Sequence, residues 1–202
     1  MGFKTGIIGL PNVGKSTLFN ALTKSKSAQA ANFPFCTIDP NIGEVTVPDQ
    51  RLLELSKISV SNETIPTKMT FIDIAGLVKG ASKGEGLGNK FLANIRECDA
   101  LAHVTRCFED ENITHVNNAI DPVADIDIIN TELLLADLES VTKRIENYKK
   151  RSGKKNDEVL TLVFLEKVLK LLEDGIPVRQ GKFFDDELKM MHLSQLIFNN
   201  FK

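Results

Sequence analysis

The strongest constraint on the fold is the segment from Gly9 to Thr17, which reads GLPNVGKST. It follows an apolar run, Thr5–Leu10, and precedes a helical one, Ser16–Thr23. The spacing G-x-x-x-x-G-K-[ST] turns a strand sharply into a helix, so that successive backbone N–H groups point at a polyphosphate on the helix N-terminus. A fortuitous glycine turn would match this pattern in about one chain of this length in a hundred. The segment therefore predicts a phosphate-binding loop.

Each residue type in this loop suits one task. Gly9 and Gly14 supply backbone geometry that a Cβ would obstruct. Lys15 brings a positive charge to the β- and γ-phosphates, and Ser16 offers a hydroxyl to the Mg²⁺ that accompanies a nucleoside triphosphate. We therefore expect a nucleoside triphosphate and Mg²⁺ as ligands.

Composition limits the partners and the location. Of the 202 residues, 42% are hydrophobic and 26% are charged, and the net charge is −2. This balance excludes a global basic field for nucleic acid, and nothing in the sequence indicates sequence-specific nucleic-acid recognition. The three cysteines lack metal-site spacing and indicate free thiols in a reducing compartment. Since the first strand begins within a few residues, leaving no room for a signal peptide, and no apolar run reaches the ~18 residues of a membrane span, we expect a cytoplasmic protein.

Strand and helix signals alternate along the first half of the chain. Helical stretches separate four strand candidates, which are Thr5–Leu10, Gly43–Val47, Met69–Asp73 and Ala100–Thr105. Short apolar runs bounded by turn residues are typical of strands, and their alternation with helices favours a mainly parallel sheet. The sequence therefore predicts an α/β fold.

Asp73 ends the third strand candidate and precedes a glycine-rich segment, Lys79–Asn89. In this fold class ligands gather outside the carboxyl ends of the strands, so Asp73 should lie beside the phosphate loop. The glycine-rich segment is either a flexible linker or a segment that bound nucleotide orders, and its position directly after Asp73 favours the second interpretation.

Long helices follow Asp121–Pro122, where a helix is predicted to begin. Apolar residues alternately three and four positions apart form a coiled-coil seam in each of two helical stretches. Two seams joined by a polar turn predict an antiparallel helical hairpin, with a basic tip at Lys149–Lys155 that is either a solvated turn or a contact for nucleic-acid phosphates. A last helix is expected from Asp185 to about Phe198. The seam residues are Leu134, Leu138, Val141, Ile145 and Tyr148, then Leu162, Leu165, Leu169 and Leu172.

Three segments together carry a family resemblance. They are residues 9–16 (GLPNVGKS), 32–41 (NFPFCTIDPN) and 73–81 (DIAGLVKGA). These segments resemble the Obg branch of the translation-factor-related P-loop GTPases. Within that branch, the hairpin after residues 106–108, together with residues 130–133 and 136–138, is similar to the YchF or Obg-like ATPase subfamily.

The resemblance implies a P-loop NTPase G domain, with helices on both faces of the sheet and an inserted antiparallel helical hairpin. On this basis the nucleotide-binding domain covers residues 1–125, and the inserted hairpin or coiled-coil domain covers residues 126–198. The chain is expected to stop before the base-reading strand, so residues 1–202 contain nothing that separates ATP from GTP.

The resemblance also assigns site residues. Asn12, Val13, Gly14, Lys15, Ser16 and Thr17 would contact the phosphates, and the N–H of Gly76 would sense the γ-phosphate. Ser16 and Thr37 would be the two hydroxyl ligands of Mg²⁺, with Asp73 holding the metal through water. From the residues alone, Thr37 is a hydroxyl in a Pro-framed loop, and a plain turn threonine is the alternative.

The residue after Gly76 cannot position the water that attacks the γ-phosphate. Many GTPases carry Gln after the residue equivalent to Gly76, whereas this chain has Leu77, which cannot hydrogen-bond the attacking water. We therefore expect slow turnover, with Lys15 assisting at the phosphates. Two sources of help are open: K⁺ bound by Asn12, as in related GTPases, or His115 positioning the water. A surface loop histidine is the alternative interpretation of His115.

The leading functional hypothesis is a molecular switch that hydrolyses ATP and binds the ribosome or another translation or stress assembly, as the subfamily suggests. The segments that nucleotide would switch are 33–41 and 76–89, and the hairpin would be the contact arm. The alternatives are a GTP-specific Obg-type regulator and a non-hydrolysing interaction module that nucleotide only stabilises.

Overall fold

A computed structural model describes residues 2–25, 40–76, 87–110, 112–115, 120–150 and 156–187 of the chain. Within these residues, four strands form one sheet in the order β2-β3-β1-β4. The central strand β1 pairs in parallel with β3 and β4, whereas β2 pairs with β3 antiparallel. The predicted α/β fold with a mainly parallel sheet is therefore confirmed. The strands are β1 (Phe3–Ile8), β2 (Asn41–Thr46), β3 (Lys68–Asp73) and β4 (Ala100–His103).

The register of the sheet brings three strand ends to one edge. Ile7 of β1 is opposite Asp73 of β3, and Ile8 is opposite His103 of β4. The ladder continues past the strands, since the N–H of Val104 donates to the carbonyl of Ile8 over 2.8 Å. Because the carboxyl ends of parallel strands share an edge, the segments after β1, β3 and β4 begin side by side.

Helix α1 (Lys15–Thr23) packs on this sheet through its apolar residues. Phe19 is fully buried with Ile7 of β1, and Leu22 and Phe71 pack against them. Burying an aromatic ring of this size stabilises the contact by roughly 1.5–3 kcal/mol. The N-terminus of α1 is therefore held over the edge where β1 ends.

Two helices begin directly after a capping aspartate, and the start of the second at Asp121–Pro122 was predicted. Asp49 precedes α2 (Gln50–Ile58) and accepts a hydrogen bond from the N–H of Arg51 over 3.0 Å. Asp121 accepts from the N–H groups of Val123 and Ala124, both over 3.1 Å, at the start of α4 (Pro122–Lys150). In each case a carboxylate satisfies backbone donors that have no partner within the helix.

The chain divides into two compact units. The first comprises Met1–Gly76 and Cys98–Ile120 and contains the sheet, and the second comprises Leu77–Glu97 and Asp121–Lys202. The second unit contains α3 (Leu87–Arg96), α4, α5 (Asn156–Glu173) and a short 3₁₀ helix (Val178–Gln180). No helix among the described residues is long and apolar enough to cross a membrane. The predicted domain division after residue 125 stays a prediction.

Helices α4 and α5 pack through one hydrophobic cluster. All nine predicted seam residues either belong to this cluster or pack against it, and Phe164, Val168 and Val178 add further buried side chains. Lys149 near the end of α4 also pairs with Glu166 of α5 over 2.9 Å. The predicted packing of the two seams is thus observed, whereas the turn that would make them a hairpin falls on residues 151–155, outside the described residues.

Several predictions fall outside the described residues. They concern most of the segment 33–41 with Thr37, residues 77–86, which include Leu77 and most of the glycine-rich segment, and residues 188–198 of the last helix. The expectation that the chain stops before the base-reading strand likewise stays a prediction, as does the placement of helices on both faces of the sheet.

We expect Leu165→Ala to lower the free energy of unfolding of the α4–α5 unit by about 2–5 kcal/mol, because it leaves a cavity in the cluster. Leu165 is 1% exposed, whereas Leu160 on the same helix is 56% exposed and serves as the matched control. Leu160→Ala should change the free energy by less than about 0.5 kcal/mol. Urea unfolding followed by helical circular dichroism measures both, and equal losses in the two variants would contradict the packing described here.

Candidate nucleotide-binding site

The phosphate loop, Gly9–Thr17, joins β1 to α1 as predicted. A Cβ on Gly9 would collide with the carbonyl oxygen of Val104 in the neighbouring strand connection. Gly14 is required for a different reason: the space around it is open, but its φ of +102° is one that L side chains rarely adopt. Asn12 also has a positive φ, +62°, in the left-handed region that Asn tolerates better than most residues.

The N-terminus of α1 suits an anion. Gly14 at the N-cap has no side chain that could cap the helix, and among the described residues of α1 the first turn has no acidic residue. The first N–H groups of an α-helix have no partner within the helix, and the helix dipole favours negative charge there. The backbone at Lys15, Ser16 and Thr17 therefore has the chemistry of a phosphate site.

Lys15 is buried close to this site. Its side chain is 7% exposed, and its Nζ donates to the carbonyl of Leu10 over 2.7 Å. Burial lowers the pKa of Lys15 from 10.5 to about 8, and the negative charge of Asp73 offsets part of that effect. An ammonium held against the loop in this way can bind phosphate oxygens, since it is protonated at neutral pH.

Ser16 and Asp73 meet across the site. The Oγ of Ser16 donates to Oδ2 of Asp73 over 2.7 Å, and Asp73 is 1% exposed. Burial raises the pKa of Asp73 above its ordinary value, although the hydrogen bond from Ser16 and the charge of Lys15 act in the opposite direction. The sequence placed a hydroxyl and a carboxylate on the metal side of the loop, and the structure brings these two side chains together.

These two side chains fit a magnesium ion. Mg²⁺ prefers oxygen ligands and is usually held by one or two carboxylates together with substrate phosphates. The second carboxylate oxygen of Asp73, Oδ1, is buried and has no hydrogen-bond partner within the described residues. Ser16 Oγ and Asp73 therefore supply hard oxygen ligands, one of them otherwise unsatisfied, while Thr37 lies outside the described residues.

Gly76 lies against the phosphate loop. A Cβ on Gly76 would come within 3.0 Å of both the backbone nitrogen and Cγ of Pro11. This spacing is tighter than nearly all real Cβ contacts, so a side chain at position 76 would require Pro11 to move by a few tenths of an ångström. The predicted γ-phosphate contact of Gly76 is compatible with its position beside the loop.

The segment after β4, residues 106–115, is called the His115 loop below. The Nδ2 of Asn12 in the phosphate loop donates to the carbonyl of Thr114 over 3.2 Å. The neighbouring residue, His115, is 6% exposed, so it is not the surface histidine of the alternative interpretation. Asn12, one predicted helper of hydrolysis, therefore contacts the residue directly before His115, the other predicted helper.

Sequence reasoning missed one residue of this region. Arg106 was used only as part of the family resemblance, but it is 1% exposed and its guanidinium donates to three carbonyl groups of the His115 loop. The only sequence signal was a charged residue immediately after the strand candidate Ala100–Thr105, and a charged residue there usually marks a solvated strand end.

Comparison with known proteins identifies the family. Residues 4–164 match the family described as 50S ribosome-binding GTPase. The chain belongs to this family. It is 57% identical over 190 residues to "Ribosome-binding ATPase YchF" of Pasteurella multocida, covering 94% of this chain and 52% of that protein. It is 51% identical over 198 residues to the Bacillus subtilis protein of the same name, covering 98% and 54%.

A solved structure agrees with these relatives. The chain superposes on the Schizosaccharomyces pombe YchF GTPase with a TM-score of 0.76 and 40% identity, covering 98% of this chain and 54% of that one. The P-loop GTPase fold and the resemblance to the YchF subfamily are therefore confirmed. The chain spans about half the length of the curated relatives it matches.

The lowered pKa of Lys15 predicts a stability cost at neutral pH. Below about pH 8 both the folded and unfolded chains hold this proton, so the full cost of burying the charge is present. Between about 8 and 10.5 only the unfolded chain still holds the proton, and the free energy of unfolding therefore rises with pH. We expect Lys15→Met to raise that free energy by roughly 1–3 kcal/mol at pH 7, with the gain disappearing toward pH 10.5.

Urea unfolding of the nucleotide-free chain at a series of pH values measures this effect. Lys57→Met, at an exposed position of α2, is the matched control and should change the free energy of unfolding by less than about 0.5 kcal/mol. A Lys15→Met variant less stable than the unaltered chain at pH 7 would contradict the buried-charge argument.

Proposed function

We propose that this chain is a P-loop nucleotide-binding protein that binds and hydrolyses ATP with Mg²⁺, associates with the ribosome and acts as a molecular switch. The observation that carries the proposal is the meeting of Lys15, Ser16 and Asp73 at the N-terminus of α1. A buried ammonium, a hydroxyl and a carboxylate within one strand-to-helix turn match the needs of a triphosphate with its metal.

Each part of the site has a proposed task. The backbone of the phosphate loop and the Lys15 ammonium bind the phosphates, and the Gly76 N–H meets the γ-phosphate. Ser16, Thr37 and, through water, Asp73 hold Mg²⁺, which neutralises phosphate charge when bound. The support for Ser16 and Asp73 is their 2.7 Å contact and the buried, unpartnered Oδ1 of Asp73.

Water is proposed to be positioned by His115. Leu77 replaces the glutamine that many GTPases use, so the chain must supply a polar group from elsewhere. His115 is buried next to Thr114, whose carbonyl contacts Asn12 of the phosphate loop. K⁺ bound by Asn12 is the second proposed source of help, and both are compatible with slow turnover.

The proposal also names the nucleotide base, which is adenine in ATP and guanine in GTP. The bacterial relatives carry the name ATPase, while the solved relative is titled a GTPase, so GTP hydrolysis is a second candidate function. Phosphate and metal contacts cannot separate the two nucleotides, because these groups are common to both. ATP is the leading candidate because the two bacterial relatives, which are 57% and 51% identical to this chain, carry the name ATPase, whereas the solved relative titled a GTPase is 40% identical.

Ribosome binding is proposed from the family description and from the relatives' names. The α4–α5 pair, with its basic end near Lys149 and Lys150, is the proposed contact arm. Segments 33–41 and 76–89 are the proposed switch segments, and the cytoplasm is the proposed location.

Multiple-turnover phosphate release tests the hydrolytic function. We expect the unaltered chain with Mg²⁺ to release phosphate slowly but repeatedly, and Lys15→Ala to lose at least about tenfold in nucleotide affinity together with turnover, because a charge-assisted bond to phosphate is removed. Lys57→Ala is the control and should behave as the unaltered chain. Isothermal titration of ATP and GTP against this chain, and against a longer chain that includes the predicted base-reading strand, then shows which base is preferred. Nucleotide binding without turnover would support the non-hydrolysing module instead.

His115→Ala tests the positioning of water. We expect kcat to fall by about 10²-fold or more while the Kd for nucleotide changes little, because the histidine is proposed to act on water rather than on phosphate. His115→Gln keeps a hydrogen-bonding group at the position and should retain part of the rate. Phosphate release and titration together measure the two constants, and unchanged turnover in His115→Ala would show the assignment to be wrong.

A further inference from the structure

Arg106 is a buried cation at the start of the His115 loop. It is among the largest fully buried side chains in the described residues, with 1% of its surface exposed. Its Nε donates to the carbonyl of Phe108 over 3.1 Å, its Nη2 to that of Asp110 over 3.0 Å, and its Nη1 to that of Ile113 over 2.8 Å. The guanidinium also lies 4.9 Å from the centroid of the Phe108 ring. A cation that is this deeply buried must be well hydrogen-bonded, and here the bonds go to backbone oxygens.

The three hydrogen bonds from Arg106 hold the His115 loop around its guanidinium. The three accepting carbonyls belong to residues two, four and seven positions after Arg106, so a single planar group fixes most of the turn. A second device supports it: Oδ1 of Asp110 accepts from the N–H of Asn112 over 2.9 Å and from its Nδ2 over 3.2 Å. Loops of this length without strands or helices keep one shape only when internal bonds hold them.

The folded loop touches the phosphate loop at its far end. Ile113, which accepts from Arg106, directly precedes Thr114, whose carbonyl accepts from Nδ2 of Asn12 over 3.2 Å. His115 follows and is buried. The path from the guanidinium to the phosphate loop therefore runs through the hydrogen bond to the Ile113 carbonyl, the peptide link to Thr114 and the hydrogen bond between the Thr114 carbonyl and Asn12.

We propose that Arg106 is a positioning residue for hydrolysis, because its three bonds hold the His115 loop in the conformation that contacts Asn12 and keeps His115 beside the phosphate loop. Arg106 does not itself bind nucleotide in this proposal. The inference rests on the proposed function, since it assigns a role in the turnover of that site. It predicts that weakening the guanidinium bonds lowers turnover without a matching loss of nucleotide affinity.

Arg106→Lys is the decisive variant. Lysine keeps the charge and most of the length, but its ammonium cannot present the planar fork that reaches three carbonyls at once. We expect kcat to fall at least about tenfold with the Kd for nucleotide within about threefold of the unaltered chain, because lost bonds to a charged group loosen the loop. Amide hydrogen exchange in residues 107–115 should become faster, while exchange in β1 and β3 stays unchanged.

Two comparisons separate positioning from general stability. Arg51→Lys is the matched control, because the Arg51 guanidinium is exposed and pairs with Asp49, and it should change neither turnover nor exchange of the loop. Asn12→Gly removes the amide that contacts Thr114 while glycine accepts the positive φ. If Arg106 acts through this contact, the losses in kcat of Arg106→Lys and Asn12→Gly are not additive.

The results that would overturn the role of Arg106 differ from the result that would overturn the proposed function. Unchanged kcat in Arg106→Lys, unchanged exchange in the loop, or additive losses in the double variant overturns the inference. A parallel fall of kcat and of nucleotide-binding capacity indicates partial unfolding and also overturns it. If Arg106→Lys does not fold, Asp110→Ala takes its place, because its carboxylate is exposed, and unchanged kcat there overturns the inference. Absence of phosphate release from the unaltered chain overturns the proposed function itself, which is a different result from normal release by Arg106→Lys.

Discussion

The site depends on the parallel pairing of β1 with both of its neighbours. This register puts the ends of β3 and β4 level with the end of β1, so that Asp73 and the His115 loop begin where the phosphate loop begins. A shift of one residue in a strand would turn its side chains to the opposite face of the sheet. The contact of Ser16 with Asp73 and that of Asn12 with Thr114 both require that register. The fold contributes to the chemistry by fixing where three loops start.

The same edge of the sheet concentrates buried charge. Lys15, Asp73 and Arg106 are each nearly inaccessible to water, and each would be costly alone. The three charges are stabilised in different ways. Lys15 donates to a carbonyl, and its pKa is lowered by burial. Asp73 accepts a hydrogen bond from Ser16, and Arg106 donates to three carbonyls. Binding sites commonly accept such a loss of stability in return for groups that are already oriented.

Much of this arrangement could be predicted from local sequence. The strands, the phosphate loop and the two aspartate-capped helix starts follow from short-range spacing, because the backbone conformations they require are set within a few residues. The approach of Asp73 to Ser16 was also predictable, since it needs only the rule that ligands gather at the carboxyl ends of parallel strands. The seams of α4 and α5 were readable for the same reason, as a helix repeats its faces every seven residues.

The contacts of Arg106 and the burial of His115 could not be predicted from the sequence, because no local sequence pattern determines them. Arg106 donates to backbone carbonyls, which every residue possesses, so the residue types along the loop do not indicate which of them accept these hydrogen bonds. The burial of His115 likewise depends on the folded path of its loop. Gly14 shows a smaller difference: its conformation rather than its surroundings requires glycine.

The close approach of Gly76 to Pro11 has a mechanical consequence. A Cβ at position 76 would lie only 3.0 Å from Pro11, so the missing side chain is what lets the segment after β3 pack this close to the phosphate loop. A residue with a side chain at position 76 would therefore push Pro11 of the phosphate loop and the segment after β3 apart by a few tenths of an ångström.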